Sequence, residues 1–375
     1  MADLEHVENV VEDSPLAFAW RRQMRTAIIN NNEDSVRQLI DKLDVSTNQN
    51  HKNILNKCLD YVTNRAFVNM NMIMILLNAG ANVNHANANG VTPLMLAANH
   101  DMESISNLLD LGAEVNQADL LGNTPLMIAI RSGQPSALSE ILLNAGANVN
   151  HATANGETPL MLAAYIGDVL ISELLVHRDV DVNLTNPKGE TAFLIAVRNQ
   201  HLNMCQSLLS TGANVHHVDG NGNTALMIAA ETGNLNIVIM LLNAGVDKYA
   251  VNRQGNTAIH IASIFAQLNV IGILIGQDTD ILDITNNADN KPIDVANNEL
   301  MKKKLIISRF FIDEGLLTFG LTPYTSSDSD DMTGGRYRKS KKKKKSNKRK
   351  RKTRKTRKTR KTRKTRKTRK TRKTN

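Results

Sequence analysis

One phrase recurs six times along this chain. Gly122-Asn123-Thr124-Pro125-Leu126-Met127-Ile128-Ala129-Ile130, followed by Leu142-Leu143-Asn144-Ala145-Gly146-Ala147-Asn148-Val149-Asn150, has equivalents opening at Gly90, Gly156, Gly189, Gly222 and Gly255. Successive glycines are therefore 32, 34, 33, 33 and 33 residues apart. A period of that length means one supersecondary unit per repeat, because no single unit of this size buries its apolar face without a neighbour. The 375 residues read as one stacked array rather than as two or three separate globules.

Each position of the phrase has a local reason. Thr92, Thr124, Thr158, Thr191, Thr224 and Thr257 stand where a helix N-cap belongs, with a hydroxyl able to accept an orphan backbone N–H. Pro93, Pro125 and Pro159 follow at the first helical position, where a missing N–H does no harm; alanine replaces them later. Ala97-Ala98, Ala163-Ala164 and Ala229-Ala230 let neighbouring helices approach closely. A second helix carries Leu108-Leu109, Leu142-Leu143, Leu208-Leu209 and Leu241-Leu242 on its buried side. Gly80, Gly112, Gly146, Gly212 and Gly245 suit a left-handed residue that ends this helix, with Asp179 a weaker terminator in the same place between Gly146 and Gly212. Three residues before each turn glycine stands Asn87, Asp119, Thr153, Asn186, Asp219 or Asn252, types whose side chains bond their own backbone in tight turns.

The pattern G-x-T-P-L-x-x-A-A followed by L-L-x-x-G-A-x-V-N resembles the ankyrin-repeat family. The resemblance implies an all-α solenoid of helix pairs joined by β-turn fingers, acting as a protein-binding scaffold and not as an enzyme. The chain departs from the family where histidine usually follows T-P-L and ties adjacent repeats together. Here Met95, Met127, Met161, Leu194 and Met227 stand instead, with only His260 matching. That departure predicts methionine packing in place of a polar tie between repeats. The family's contact positions lie on the concave side. Carried over, they are Asn99 and His100; Leu120, Leu121, Asn123, Arg131 and Ser132; Glu157, Tyr165 and Ile166; Lys188, Glu190, Arg198 and Asn199; Glu231; Ile264 and Phe265. Interface anchors are enriched in aromatic and arginine side chains, and Leu120, Leu121, Arg131, Tyr165, Ile166 and Arg198 form the expected protein-binding patch.

Outside the six units the pattern fades. Residues 1–15 read as an acidic leader, 16–49 as a degenerate N-terminal capping repeat and 50–88 as a divergent repeat whose insertion between Tyr61 and Met72 lengthens its helices. The six repeats occupy 89–288. Residues 289–312 form a degenerate C-terminal cap in which Asn290-Lys291-Pro292-Ile293-Asp294-Val295-Ala296 echoes the helix start, 313–335 a linker, and 336–375 a Lys/Arg-rich tail. The net charge of +10 conceals a split: residues 1–335 hold 19 Lys/Arg against 36 Asp/Glu, whereas 336–375 hold 27 Lys/Arg and no acid.

With two cations in every three residues and almost no apolar group, the tail is expected to be disordered alone. Its candidate polyanion-binding or import-signal residues are Lys341, Lys342, Lys343, Lys344, Lys345, Lys348, Arg349, Lys350, Arg351 and Lys352. Nucleic acid, an import receptor, an anionic membrane leaflet, the acidic body, or no dedicated partner at all each fits such a run. Only Tyr337 could stack on a base, so binding without sequence specificity is expected. The asparagine-rich array and the Gly-Gly-Arg-Tyr-Arg-Lys-Ser-Lys-Lys opening of the tail also resemble ankyrin proteins encoded by giant DNA viruses of amoebae.

No catalytic constellation stands out, and no cofactor is implied. His85, His151 and His217 recur in alternate repeats, on the order of 15–20 Å apart for helices packed about 8–10 Å from one another, whereas zinc needs nitrogens within about 2.0 Å. No metal site is expected. Cys58 and Cys205 are too few and too far apart for a disulfide framework, which suits a reducing interior. The opening Met1-Ala2-Asp3-Leu4-Glu5 lacks a signal-peptide pattern, and no run of eighteen apolar residues could span a membrane. The expectation is an intracellular monomer, in cytoplasm or nucleus (of a host cell if viral), with an unknown protein partner.

Overall fold

Threonine starts one short helix after another. A computed structural model of the chain describes residues 15–42, 49–64, 68–133, 136–276, 278–297, 299 and 302–307, so the acidic leader before Pro15, the linker 313–335 and the tail 336–375 lie outside the described residues. Within them the hydroxyls of Thr92, Thr124, Thr158, Thr191 and Thr224 each accept the backbone N–H three residues on, at 3.3–3.5 Å. Thr257 differs, since its N–H and hydroxyl both meet Nδ1 of His260.

In chain order the helices are α1 (Pro15–Ile29) and α2 (Glu33–Asp41), then α3 (Gln49–Thr63) and α4 (Met70–Asn78). Six pairs follow: α5 (Pro93–Ala97) with α6 (Met102–Asp110), α7 (Pro125–Arg131) with α8 (Ser136–Asn144), and α9 (Pro159–Ile166) with α10 (Val169–Val176). The series continues with α11 (Ala192–Arg198) and α12 (Leu202–Ser210), α13 (Ala225–Thr232) and α14 (Leu235–Asn243), α15 (Ala258–Ile264) and α16 (Leu268–Ile275). A 3-10 turn at Thr279–Asp283 and helical residues 302–307 close it. First helices touch first helices in one row and second helices touch second helices in another, and α1 on α3 and α2 on α4 set out the same two rows at the N-terminal end. No strand forms among the described residues, only an isolated bridge between Val218 and Thr224.

The core lies between the rows. Ala97, Ala98, Ala163, Ala164, Ala229 and Ala230 are fully buried, as are Leu108, Leu142, Leu208 and Leu241. Each such leucine contributes about 1.5–3 kcal/mol of apolar burial that an isolated helix pair could not realise. Asp179 does take the left-handed conformation of the terminating glycines, at φ +57°. Two divergent stretches differ from expectation. The insertion lengthens α3 to 15 residues but leaves α4 at 9, and Lys291 to Ala296 forms turns at 292–295 instead of a helix.

The polar tie between repeats survives the loss of histidine, contrary to the expectation. Met95, Met127, Met161 and Met227 are buried to 2% exposure or less. Asparagine supplies the tie elsewhere, on the outer loop after each second helix. Asn84, Asn116, Asn150 and Asn183 each donate through Nδ2 to the carbonyl of the next repeat's helix-terminating residue, Gly112, Gly146, Asp179 or Gly212, at 3.1–3.3 Å. Each also accepts through Oδ1 the N–H two residues further on, of Glu114, Asn148, Asp181 or Asn214, at 2.7–2.8 Å. An amide carries one acceptor and two donors side by side, which is what a bridge between a carbonyl and a nearby N–H requires. The rung ends at His216, the residue in the next equivalent position.

Candidate functional site

The fingers are built by the residue three before each turn glycine. In the finger at Asp119, the carboxylate Oδ1 accepts the N–H of Leu121 at 2.9 Å and of Asn123 at 2.7 Å, while Gly122 N donates to the Asp119 carbonyl. Gly122 sits at φ +82°, and a Cβ there would lie 2.9 Å from the backbone of Thr153 and Ala154. The next finger approaches that closely because Ala154 N donates to Leu121 O, as Leu120 N donates to Asn89 O. With the backbone held on both sides, the side chains of Leu120 and Leu121 point to solvent, 74% and 67% exposed.

The remaining patch residues come from first-helix ends. Tyr165 and Ile166 close α9 ahead of the left-handed Gly167 and are 64% and 40% exposed. His201 of the following repeat caps this corner, its Nε2 hydrogen-bonding the Tyr165 carbonyl at 3.0 Å. Arg131 ends α7 with its side chain 52% exposed, touching Glu157 at 3.3 Å. Arg198, the equivalent residue of α11, is held by three carboxylates instead: Glu190 at 2.9 Å, Asp219 at 3.6 Å and Glu231 at 3.9 Å.

Two carried-over contact positions are internal. Asn123 is 6% exposed with its amide on the Asp119 carboxylate, and the Glu190 side chain is only 12% exposed beneath Arg198. The recurring histidines are used within the array. His151 and His217 hydrogen-bond the carbonyls of Gly122 and Gly189 in the preceding fingers, and His85 meets Asp60. The asparagine rung is not among the sequence expectations; the asparagine at a fixed offset after G-A-x-V was the available signal.

Chemistry finds little purchase. Burial pushes the Cys58 and Cys205 thiols up to about 12, with Arg21 opposing it at Cys58 and a backbone hydrogen bond at Cys205, so neither is a ready nucleophile. Burial also holds His260 below its usual value of 6.5, opposed by its bonds to the Asn290 and Ile284 backbone. Among the described residues no group of three or more His, Cys, Asp or Glu side chains is placed to hold a metal ion. No described helix is long and apolar enough to cross a membrane.

Helix pairs at a 33-residue spacing, capped by threonine and linked by Asx-stabilised fingers, define a helical repeat solenoid. A family model described as ankyrin repeats (3 copies) matches residues 62–153, 126–219 and 195–285, and the chain belongs to that family. Among solved structures it is similar to one titled "Crystal structure of the ankyrin repeat domain of Bcl-3: a unique member of the IkappaB protein family", at 27% identity and a TM-score of 0.52, over 58% of this chain and 99% of that one. Comparison with curated proteins gives no match. Membership of this family suggests a protein–protein interaction scaffold.

Proposed function

We propose that the array is a non-enzymatic adaptor that holds a protein partner on its finger side, through Leu120, Leu121, Arg131, Tyr165 and Ile166. The observation that carries this reading is the exposure of two adjacent leucines at one fingertip and of a tyrosine and isoleucine at a nearby helix end, on backbone that hydrogen bonds hold in place. Rigid anchors of this kind lose little conformational freedom on binding. Two buried free thiols suit a reducing compartment. The test is affinity capture with the full chain and with a Leu121→Ala, Tyr165→Ala double variant of unchanged melting temperature. A partner retained by the first and lost by the second supports the reading; the same partners retained equally by both refutes it.

A second reading has its own observation, the 27 Lys/Arg and absent acid of residues 336–375. On it the tail binds phosphate backbones without sequence specificity or addresses the protein to the nucleus, and the array is its carrier. Affinity for duplex DNA should then fall with salt at a slope of roughly −0.9 per phosphate contact, and removing 336–375 should abolish it.

A further inference from the structure

The finger side carries a second feature, nearer the C-terminal end of the array. Between the turns at Asp219 and Asn252 and the ends of α13 and α15 lies a cleft of about 290 Å³. Met227, Ile261 and Phe265 give it an apolar floor, Phe265 standing 48% exposed. Its rim is polar and carries one cation, Arg253.

Arg253 is held at its base and free at its tip. Its N–H donates to Asn221 O at 3.1 Å, its carbonyl accepts Asn287 Nδ2 at 3.0 Å, and its stem lies over Gly222, where a Cβ would come within 3.4 Å of Arg253 Cγ. The guanidinium makes no hydrogen bond or ion pair among the described residues, unlike those of Arg131 and Arg198. Beside it, Gln254 uses Oε1 to accept from Asn256, and among the described residues neither its Nε2 nor the Asn221 side-chain amide has a hydrogen-bond partner. Glu231 is the one acid on the rim, and Arg198 stands 3.9 Å from it. The unspent hydrogen-bonding capacity nearest Arg253 is therefore donor-rich. An unpaired guanidinium flanked by carboxamide donors matches the paired oxygens of a carboxylate.

We propose that this cleft takes an extended segment of another protein in which an Asp or Glu side chain stands beside a bulky apolar one. The apolar side chain covers Phe265 and Ile261, and the carboxylate accepts two hydrogen bonds from Arg253 and further ones from Gln254 and Asn221. This deepens the reading of the finger side as a protein-binding face and rests on it, while using residues separate from the Leu121 and Tyr165 patch.

The test uses the full chain, its Arg253→Gln and Arg253→Glu variants, and arrayed octapeptides in which one acidic, amide or basic residue adjoins Phe or Leu. The tail attracts acidic peptides equally in all three proteins, so the informative quantity is the ratio of acid to amide peptides retained, compared between variants. The native chain should exceed Arg253→Gln in that ratio by about two- to fivefold, the upper part of the range for an exposed ion pair of good geometry. Arg253→Glu should shift retention toward Lys and Arg peptides. Asn221→Ala, on the other wall, should lower the same ratio and guards against a local distortion at Arg253. Equal ratios in all the proteins, or no retention by any, overturns the proposal. If the ratio responds to Arg253 while the Leu121→Ala, Tyr165→Ala variant keeps its captured partners, the cleft stands and the patch fails; the converse pattern sinks the cleft and leaves the patch.

Discussion

Replacing His216 by asparagine should strengthen the joint between the fourth and fifth of the six repeats. At four preceding joints an asparagine bridges a carbonyl and an N–H of the next repeat, and at this joint His216 occupies the bridging position. The Asp247 N–H, equivalent to those of Asn148, Asp181 and Asn214, has no partner among the described residues. An asparagine in the geometry of Asn183 would supply an acceptor to Asp247 N and a donor to Gly245 O. At about 0.5–1.5 kcal/mol net per hydrogen bond, two bonds contribute about 1–3 kcal/mol, and the solvent exposure of the rung favours the lower half of that range. About 1–2 kcal/mol corresponds to a roughly 5- to 30-fold slowing of exchange for an amide that opens through this joint. Amide hydrogen exchange of Asp247 measures it, with Asp181 as an internal control that should not change. The reverse change, Asn183→Ala, should speed exchange at Asn214 by a similar factor. An Asp247 amide that exchanges equally fast in both proteins, with the helices intact, refutes the claim that asparagine rungs tie this array together.

Three further outcomes follow from the geometry. His260 accepts the Thr257 N–H through Nδ1 and meets the Asn290 carbonyl through Nε2, and burial lowers its folded pKa, so the unfolded chain binds the proton more readily. Its stabilising share is therefore complete above the unfolded value of about 6.5 and is lost as pH falls below it toward the folded value; urea midpoints from pH 7.5 to 5.5 should fall, and less so in His260→Met. Gly112→Ala should cost about 1 kcal/mol for its φ of +86° alone, since nothing lies within 4 Å of a Cβ there. Gly122→Ala, driven against backbone at 2.9 Å, should cost about 2–4 kcal/mol, and equal midpoint losses would refute the contact argument. Truncation before residue 336 should remove salt-dependent DNA retention while leaving the far-ultraviolet dichroism of the array unchanged.

The repeat register, the threonine caps and the terminating glycines were legible in the sequence because each acts within four or five residues of itself. Asp119 and Gly122 announce the same turn from either end. The asparagine rung was not legible, because its partners lie some thirty residues away and asparagine is common here for turns as well. Asn123 looked like a contact residue by position, yet the neighbouring Asp119 carboxylate draws its amide inward. The exposure of Leu120, Leu121, Tyr165 and Ile166 was legible, because it follows from their places in the period. Arg253 holds the place in its finger that Leu120 holds before Gly122, but that its guanidinium has no partner among the described residues depends on where every nearby carboxylate points.

Arg131 and Arg198 show why that limit matters for function. They end equivalent helices and are indistinguishable by spacing, yet Arg131 has one long contact to a half-exposed Glu157, while Arg198 joins Glu190, Asp219 and Glu231 across two repeats. A partner can recruit Arg131 by displacing one weak, solvent-screened pair, of about 0–1 kcal/mol. To recruit Arg198 it would have to leave the nearly buried Glu190 and Asp219 carboxylates without their cation, which costs more than a surface contact returns. Arg131→Ala should therefore weaken partner capture and leave the urea midpoint within error. Arg198→Ala should lower the stability read from urea unfolding by about 1–2 kcal/mol, the screened value for a side chain 39% exposed, and change capture only through that loss. If Arg198→Ala abolished capture at an unchanged midpoint, Arg198 would itself be a partner contact and not part of an internal clamp.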